Sequence, residues 1–363
     1  MRTSPSSVLI INTFGIGDVL FSTPLIRSLK ENFPQSRITY LCNRRTEAVL
    51  KSNPLIDKTI VYERDEFEAL RRASKSAWAK KFFTLIKEIK AQRCDLAVDL
   101  SLNSQFGFFT WCAGIKRRAG LNYKRRGRFL TDRSAFDGYN DKHVAEYYLD
   151  VLRELDLPVK QSRLEVYTDF ASRSFAADFI AHNGLKEKLL VGIAPCGGQA
   201  FGPNAYVKRW PPDKYAALIA RLAKEYKAAV LIFAGPGEKR EVAEIIEKAG
   251  RPKDCYEFTD ATLAQTIALV EQCALFIGND TGPLRFADGL DKKIIALFGP
   301  VDEKVYGLYP HDPKKHIVIT KDIECRPCYK KFKLPACDHG QRCLKDIDLT
   351  EVLDAVKRLV PLA

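Results

Sequence analysis

The sequence lacks any uninterrupted apolar run close to the roughly 18 residues that a membrane-spanning helix needs. Its first apolar run is short and gives way to polar and glycine residues, so we expect neither a transmembrane helix nor a signal peptide. Internal repeats and low-complexity tracts are also missing, which excludes a repeat array. A hydrophobic fraction of 46% and a charged fraction of 28% over 363 residues instead indicate a globular protein with two cores.

Two motifs that would imply a particular cofactor are missing as well. No DxD-type motif is placed to bind a divalent metal for catalysis. The glycine turn from Phe14 to Asp18 contains GxG but no third glycine, because residue 20 is Leu. A nicotinamide cofactor is therefore disfavoured.

Ten cysteines without a secretion signal are typical of a protein from a reducing compartment. Six of them are scattered and are expected to be small buried hydrophobes: Cys42, Cys94, Cys112, Cys196, Cys255 and Cys273. The other four lie within nineteen residues and include one CxxC pair: Cys325, Cys328, Cys337 and Cys343. This spacing predicts a structural zinc or iron–sulfur site, in which His339 could replace one thiolate. Free thiols or redox-labile pairs are the alternatives.

The net charge of +13 indicates a polyanionic partner, which could be nucleic acid, an anionic membrane surface or a phosphorylated substrate. Seven of the basic residues lie within 116–128. A solvated loop would explain such a run, but the density favours a docking surface for acceptor phosphates, carboxylates or anionic lipid headgroups. Few aromatic residues are interleaved there, which disfavours nucleic acid. A second basic set has helical spacing and is interpreted as an outer helix face: Lys80, Lys81, Lys87 and Lys90.

Short β-branched runs alternate with segments of helical period, as in a parallel sheet whose strands are connected by helices. The first such helix is predicted over 18–32. The rhythm weakens over 115–185 and restarts at LLVGIA, so we predict two doubly wound α/β domains, 1–168 and 169–347. A final amphipathic helix is predicted over 348–360, within a closing segment 348–363.

Ligands of such sheets bind beyond the carboxyl ends of the strands, where glycine turns lead into helices. Asp18 follows the first of these turns. It is either a carboxylate stabilised by the helix dipole or an exposed base, and spacing alone favours the former. The second turn, Gly278 to Arg285, combines glycine, hydroxyl and charge. It is either a capped turn or a diphosphate site, and its composition slightly favours phosphate.

Two segments, VLIINTFGIGDVLFSTPLIRSLKENFP and GNDTGPLRFADGLDKKIIALFGPVDEKVYG, resemble glycosyltransferase family 9, the ADP-heptose:lipopolysaccharide heptosyltransferases. The resemblance extends over nearly the whole chain. It implies a GT-B architecture, with two Rossmann-like domains facing each other across a cleft. The N-terminal domain would bind the acceptor and the C-terminal domain the nucleotide-sugar donor. The last helix would cross back toward the first domain.

The resemblance also implies roles for individual residues. Asp18 matches the family's GD motif and would be the catalytic base. The donor-binding matches are Lys208 for the phosphates, Glu238 for the nucleoside end, and Asp280, Thr281 and Gly282 for the phosphate loop. Arg285 stands where the family commonly has His, so it can supply charge but cannot titrate near neutrality. For the acceptor, the basic run suggests Arg117, Arg118, Arg125 and Arg126.

These assignments imply a cytoplasmic, inverting enzyme that needs no cofactor for catalysis. It would transfer a heptose or related sugar from a nucleotide-sugar donor such as ADP-heptose to an anionic glycolipid of a lipopolysaccharide core or related surface glycan. Peripheral contact with the inner face of the cytoplasmic membrane is expected, and nucleic acid is not an expected partner. Two alternatives stay open: a nucleotide-sugar epimerase of the same architecture, and a non-catalytic nucleic-acid-binding protein.

Overall fold

The computed structural model describes residues 4–160, 163–198 and 202–361. The chain forms two compact units, Met1–Arg163 and Leu164–Ala363. The division lies close to the domain change predicted at residue 168. No helix in the described ranges is long and apolar enough to cross a membrane.

The first unit contains a parallel six-stranded sheet in the order β3-β2-β1-β4-β5-β6. Its strands are β1 (Ser7–Ile11), β2 (Arg37–Cys42), β3 (Lys58–Val61), β4 (Leu96–Asp99), β5 (Arg117–Tyr123) and β6 (Asp132–Phe136). Its helices are α1 (Ile16–Leu20), α2 (Thr23–Asn32), α3 (Arg44–Leu50), α4 (Arg64–Ala73), α5 (Lys75–Ala91), α6 (Ser104–Cys112) and α7 (Val144–Glu154).

All five residues of β1 are buried, as expected for a central parallel strand covered by helices on both faces. The strand order reverses between β1 and β4, and this is the position where open α/β sheets bind ligands. The helix predicted over 18–32 is two helices. Ser22 interrupts it by donating from Oγ to the Val19 carbonyl, and Pro24 lies in the first turn of α2, where its missing N–H costs nothing.

The second unit contains a parallel six-stranded sheet in the order β12-β11-β10-β7-β8-β9. Its strands are β7 (Leu190–Ala194), β8 (Ala229–Phe233), β9 (Cys255–Phe258), β10 (Leu275–Asn279), β11 (Lys293–Leu297) and β12 (His316–Ile319). Its helices are α8 (Phe170–His182), α9 (Pro212–Glu225), α10 (Lys239–Lys248), α11 (Leu263–Gln272), α12 (Gly282–Gly289), α13 (Glu303–Tyr306), α14 (Arg342–Lys345) and α15 (Leu349–Leu359), with 3-10 turns at Gly202–Lys208 and Pro236–Glu238.

The last helix, α15, belongs to the second unit. Its apolar face, which includes Val352 and Val356, is buried in the same core as β7, β8 and β10. It packs against α9, β11 and β12. Docking on the second sheet removes its apolar side chains from water. The crossing of this helix back toward the first domain stays a prediction.

Candidate active site

Asp18 lies at the carboxyl edge of the first sheet, in the first turn of α1, and is half-buried. The backbone of this turn is held by Asn12, which is fully buried. Its Nδ2 donates to the Asp18 carbonyl at 3.1 Å, and its Oδ1 accepts from the Phe14 N–H at 3.1 Å. Because Asn12 directly follows β1, the sheet itself fixes where the Asp18 backbone stands.

The Asp18 carboxylate lies over Gly15, where a Cβ would stand 3.6 Å from Oδ2. Two buried phenols, Tyr40 and Tyr148, are close enough to sense its charge. Burial is the main cause of the raised pKa of both phenols, and the negative charge of Asp18 contributes. A half-buried carboxylate at this edge can accept a proton from a hydroxyl group bound beyond the strands.

A second carboxylate, Asp99, ends β4 on the strand next to β1, in register with Ile11. It is buried, and its Oδ1 accepts from the Ser101 N–H at 2.9 Å and Oγ at 2.6 Å. Burial raises the pKa of Asp99 to about 6 in spite of these hydrogen bonds. Asp99 is not among the site residues predicted from the sequence, because DLAVDL was interpreted only as a strand. Its position nevertheless indicated a site residue, since an acidic residue at the end of an apolar strand lies at the ligand-binding edge of the sheet.

On the second sheet, the corresponding position beyond β10 is occupied by a buried cluster of charges. The Asp280 carboxylate accepts from Lys208 Nζ through one oxygen and from Arg285 through the other. Burial would raise the pKa of Asp280, but Lys208 and Arg285 outweigh it and hold that pKa below its usual range. Two cations therefore contact this one carboxylate at the carboxyl edge of the second sheet.

The loop after Asp280 leads into α12 without a side-chain cap. Thr281 is its N-cap residue, but its hydroxyl donates to the Asn279 carbonyl at 3.2 Å. The N–H groups at the start of this eight-residue helix are thus not capped by that side chain. Together with Lys208 they can bind phosphate oxygens.

Lys208 is positioned by the residues that follow it. The Trp210 N–H donates to Asn279 Oδ1 at 3.2 Å, and the Trp210 indole donates to the Ile347 carbonyl at 2.9 Å. Asn279 also donates to the Pro195 carbonyl at 2.7 Å, which links the ends of β7 and β10. The segment that carries Lys208 is therefore attached to the sheet at the point where the strand order reverses.

Arg285 is almost fully buried and donates to three groups: the carbonyls of Tyr306 and Gly307, and Asp280. Its guanidinium also stands 5.7 Å from the ring centre of Phe298. These contacts orient Asp280, which in turn holds Lys208. One turn along α12, burial raises the pKa of Asp288 to about 7, although Arg285 opposes the shift.

Both carboxylate oxygens of Glu238 are used within the protein. Oε1 accepts from the Gly198 N–H at 3.0 Å, and Oε2 accepts from the Gly235 N–H at 2.9 Å. Arg209 stands 3.6 Å from the same carboxylate. Glu238 thus connects the loops that follow β7 and β8, at the same edge as Asp280.

The four arginines proposed for the acceptor lie at two different edges of the first sheet. Arg117 and Arg118 are at the amino-terminal start of β5, where Arg117 pairs with Asp132 at 3.3 Å and Arg118 donates to backbone carbonyls, including Phe129 at 2.6 Å. Arg125 and Arg126 follow β5 at the carboxyl edge, which also carries Asp18. They are exposed and pair with no carboxylate among the described residues.

The metal predicted at Cys325, Cys328, Cys337 and Cys343 is not supported. The four thiols line one small cavity together with His339. However, no group of three or more His, Cys, Asp or Glu side chains in the described parts of the chain is arranged to hold a metal ion. Cys343 is buried against Gly299, and burial raises its pKa to about 11, whereas Cys337 is exposed and accepts from the Gln341 N–H. All ten cysteines are free thiols.

Comparison with known proteins gives a consistent result. A family model described as glycosyltransferase family 9 (heptosyltransferase) matches residues 82–337. The chain is 28% identical over 297 residues to lipopolysaccharide heptosyltransferase 3 of Escherichia coli, covering 79% of this chain and 81% of that protein. It is 26% identical over 352 residues to lipooligosaccharide heptosyltransferase 2 of Campylobacter jejuni, covering 95% of each.

Among solved structures, the chain is similar to E. coli ADP-heptose lps heptosyltransferase II, with a TM-score of 0.74 and 23% identity. That likeness covers 97% of this chain and 98% of the other. The two parallel sheets and their surrounding helices therefore have the fold of that protein.

Proposed function

The chain belongs to glycosyltransferase family 9, the heptosyltransferases, and we propose that it transfers a heptose or related sugar from ADP-heptose to a lipopolysaccharide core or related surface glycan. The expected GT-B fold is confirmed, and the protein is a glycosyltransferase. The observation that carries the substrate proposal is the charged cluster of Lys208, Asp280 and Arg285 beside the start of α12. Such a cluster suits the diphosphate of a nucleotide-sugar donor.

The donor side supplies fixed positive charge to the departing nucleoside diphosphate. Lys208 and the N–H groups of Thr281 and Gly282 contact the phosphates, and Arg285 maintains Asp280 and Lys208 in place. Negative charge grows on the leaving group as the glycosidic bond breaks, so preorganised cations stabilise the transition state more than the ground state. Glu238 holds the loops after β7 and β8 together and so shapes the part of the site that binds the nucleoside end of the donor.

On the acceptor side, Asp18 takes the proton from the attacking hydroxyl while the new bond forms at the anomeric carbon. One displacement of this kind inverts the configuration at that carbon. It needs a base and a stabilised leaving group, and we assign these roles to Asp18 and to Lys208 with the Thr281 and Gly282 N–H groups. No step requires a bound metal.

The acceptor is an anionic glycolipid, for which Arg125 and Arg126 provide exposed positive charge near the edge that carries Asp18. A glycolipid acceptor is presented at a membrane surface. We therefore place the enzyme in the cytoplasm, in peripheral contact with the inner face of the cytoplasmic membrane.

The two alternatives are not favoured. An epimerase acts on the donor alone and has no need of an anion-docking face on the first unit. A nucleic-acid-binding protein would not need the buried charges around Asp280. Membership of a transferase family argues against both.

Calorimetric titration with ADP, UDP and GDP tests the donor. We expect tight binding of ADP and much weaker binding of the other two, because the proposed donor carries adenine. Transfer from ADP-heptose to a lipid-free, phosphorylated core saccharide is measured in parallel. Equal affinity for the three nucleotides would contradict the ADP-heptose proposal while leaving the family assignment intact.

Replacing Arg125 and Arg126 with Ser should raise the KM for the acceptor several-fold and flatten its dependence on salt, because exposed charge attracts anions over a screened distance. Donor affinity should not change, since both residues lie in the first unit. The matched control replaces both with Lys, which keeps the charge and should restore most of the salt dependence. If the Ser variant shows unchanged acceptor kinetics at low and high salt, the two arginines belong to a solvated loop.

A further inference from the structure

An aromatic cluster with two exposed rings, hereafter the aromatic patch, lies on the first unit. It consists of Trp78, Phe82 and Phe83 on α5, Phe108 and Trp111 on α6, and Phe129 in the loop after β5. Phe83 is 67% exposed and Trp111 is 55% exposed. They are the exposed large hydrophobic residues of this unit's described part, and both belong to the patch.

The six rings form one continuous cluster, whose inner ring Phe82 is buried. On α5, Phe82 stands 5.4 Å from both Trp78 and Phe83, measured between ring centres. It is 6.2 Å from Phe108, which connects α5 to α6. Phe108, Trp111 and Phe129 then contact one another, at 5.3 to 6.1 Å. The inner rings fix the positions of the outer ones, so Phe83 and Trp111 are held at the surface rather than buried in the core.

Positive charge surrounds the aromatic patch. Lys80, Phe83 and Lys87 follow one another at helical spacing on α5, so the two lysines flank the exposed ring. At the other end, Arg128 stands over the Phe129 ring at 4.7 Å. Lys80, Lys87 and Arg128 form no ion pair with any described residue.

Two acidic residues, Glu66 on α4 and Glu88 on α5, are already paired. Glu66 accepts from Lys81 and from Arg44, the latter at 3.2 Å. Glu88 stands 3.7 Å from Lys58. The cations beside the patch are therefore available to an external anion.

The net charge is concentrated on the unit that carries the patch. Residues 1–163 contain 29 Lys and Arg against 18 Asp and Glu, whereas residues 164–363 contain 29 against 27. The first unit thus carries +11 of the net charge of +13. An anionic surface would attract this unit in preference to the other.

We propose that the aromatic patch binds the surface of an anionic phospholipid bilayer. Trp and Phe side chains settle at the boundary between headgroups and acyl chains, and lysines beside them remain among the phosphates. Two copies would pair poorly through this patch, because such a contact would bring the Lys80, Lys87 and Arg128 charges of both copies together. The preference for lipid over nucleic acid rests on the proposed function, whose acceptor is a glycolipid.

The test is flotation of the full-length protein with vesicles of phosphatidylcholine containing about one third phosphatidylglycerol, a composition that supplies the anionic surface. We expect binding that falls with salt and is weak on phosphatidylcholine alone. Phe83→Ser combined with Trp111→Ser should lower the partition coefficient about tenfold or more, because both rings lose their insertion into the interface. The charge variant Lys80→Gln with Lys87→Gln should lower binding at low salt and flatten the salt dependence.

Phe170→Ser is the matched control, since Phe170 is 81% exposed but belongs to the second unit, and this variant should bind vesicles like the unchanged protein. Equal vesicle binding by the protein and its Phe83→Ser/Trp111→Ser variant would overturn the proposal. The proposal would also be overturned if that variant kept vesicle binding but lost the ability to form dimers or to bind oligonucleotides. Because the vesicles contain neither donor nor acceptor, a failed transfer assay would not affect this result. Transfer to the lipid-free saccharide should be unchanged by the two aromatic replacements.

Discussion

Asp18→Asn should lower kcat by roughly 100-fold or more while leaving the affinity for ADP unchanged, because general-base catalysis typically supplies a factor of 10²–10⁴. Asn has nearly the same shape as Asp but cannot accept the proton of the acceptor hydroxyl. The fold should survive, since the substitution leaves in place the hydrogen bond from Asn12 to the Asp18 backbone carbonyl that holds the turn. Donor affinity should be preserved because the residues proposed to bind phosphate lie in the second unit.

The measurement is single-turnover transfer with saturating donor, accompanied by calorimetry with ADP and by thermal unfolding. Asp99→Asn is the informative comparison, since it makes the same change at the end of β4, the strand next to β1. Asp99 accepts from Ser101 through one oxygen, and Asn can keep that acceptor, so this variant should remain folded and retain more activity than Asp18→Asn. A near-normal rate for Asp18→Asn would remove this residue from the mechanism. A larger loss at Asp99 would transfer the role of base to the buried carboxylate.

Much of this site follows from local sequence pattern. Apolar runs such as SVLII and LFIGN must be buried on both faces, so they predict central parallel strands. A glycine turn after such a strand places the next few residues at the ligand-binding edge. Asp18 and Asp280 could be located by this reasoning because each follows its strand within a few residues.

Contacts between residues that are distant in the chain could not be predicted from the sequence. The run 116–128 has the composition of a charged loop, yet its first half is β5, which Arg117 joins to β6 through Asp132. Glu238 is likewise fixed by the Gly198 N–H, forty residues earlier. Composition shows which residues carry charge, but only the fold shows which charges are already paired.

The cysteine cluster and α15 illustrate the same limit. The four thiols line one cavity, as their spacing in the sequence suggested. Metal binding also requires that the sulfur atoms point to one centre, and the direction of each sulfur depends on the backbone. The period of α15 predicted an apolar face without specifying which core would cover it. The aromatic patch was missed because Phe83 and Trp111 lie on different helices and become neighbours only through Phe82 and Phe108.

Lys208→Ala should weaken ADP binding by roughly 10- to 100-fold, the usual range for losing a charge-assisted hydrogen bond of about 1.5–3 kcal/mol. It should also lower kcat, because the charge of the departing diphosphate grows as the glycosidic bond breaks. Asp280 would not be left as an unpaired buried charge, since Arg285 remains bonded to it. We therefore expect the variant to fold, which distinguishes it from Arg285→Ala, in which Asp280 and the Tyr306 and Gly307 carbonyls would each lose a hydrogen bond.

The decisive comparison is between ADP and AMP, measured by calorimetry on the unchanged protein and on the Lys208→Ala variant. If Lys208 contacts the outer phosphate, ADP should lose most of its advantage over AMP, while AMP binds almost as before. Lys208→Arg is the matched control, because it restores positive charge with a different geometry and should recover part of the ADP affinity but less of kcat. Equal losses for ADP and AMP would instead place Lys208 at the inner phosphate. Unchanged affinity for both would mean that Lys208 serves only to neutralise Asp280.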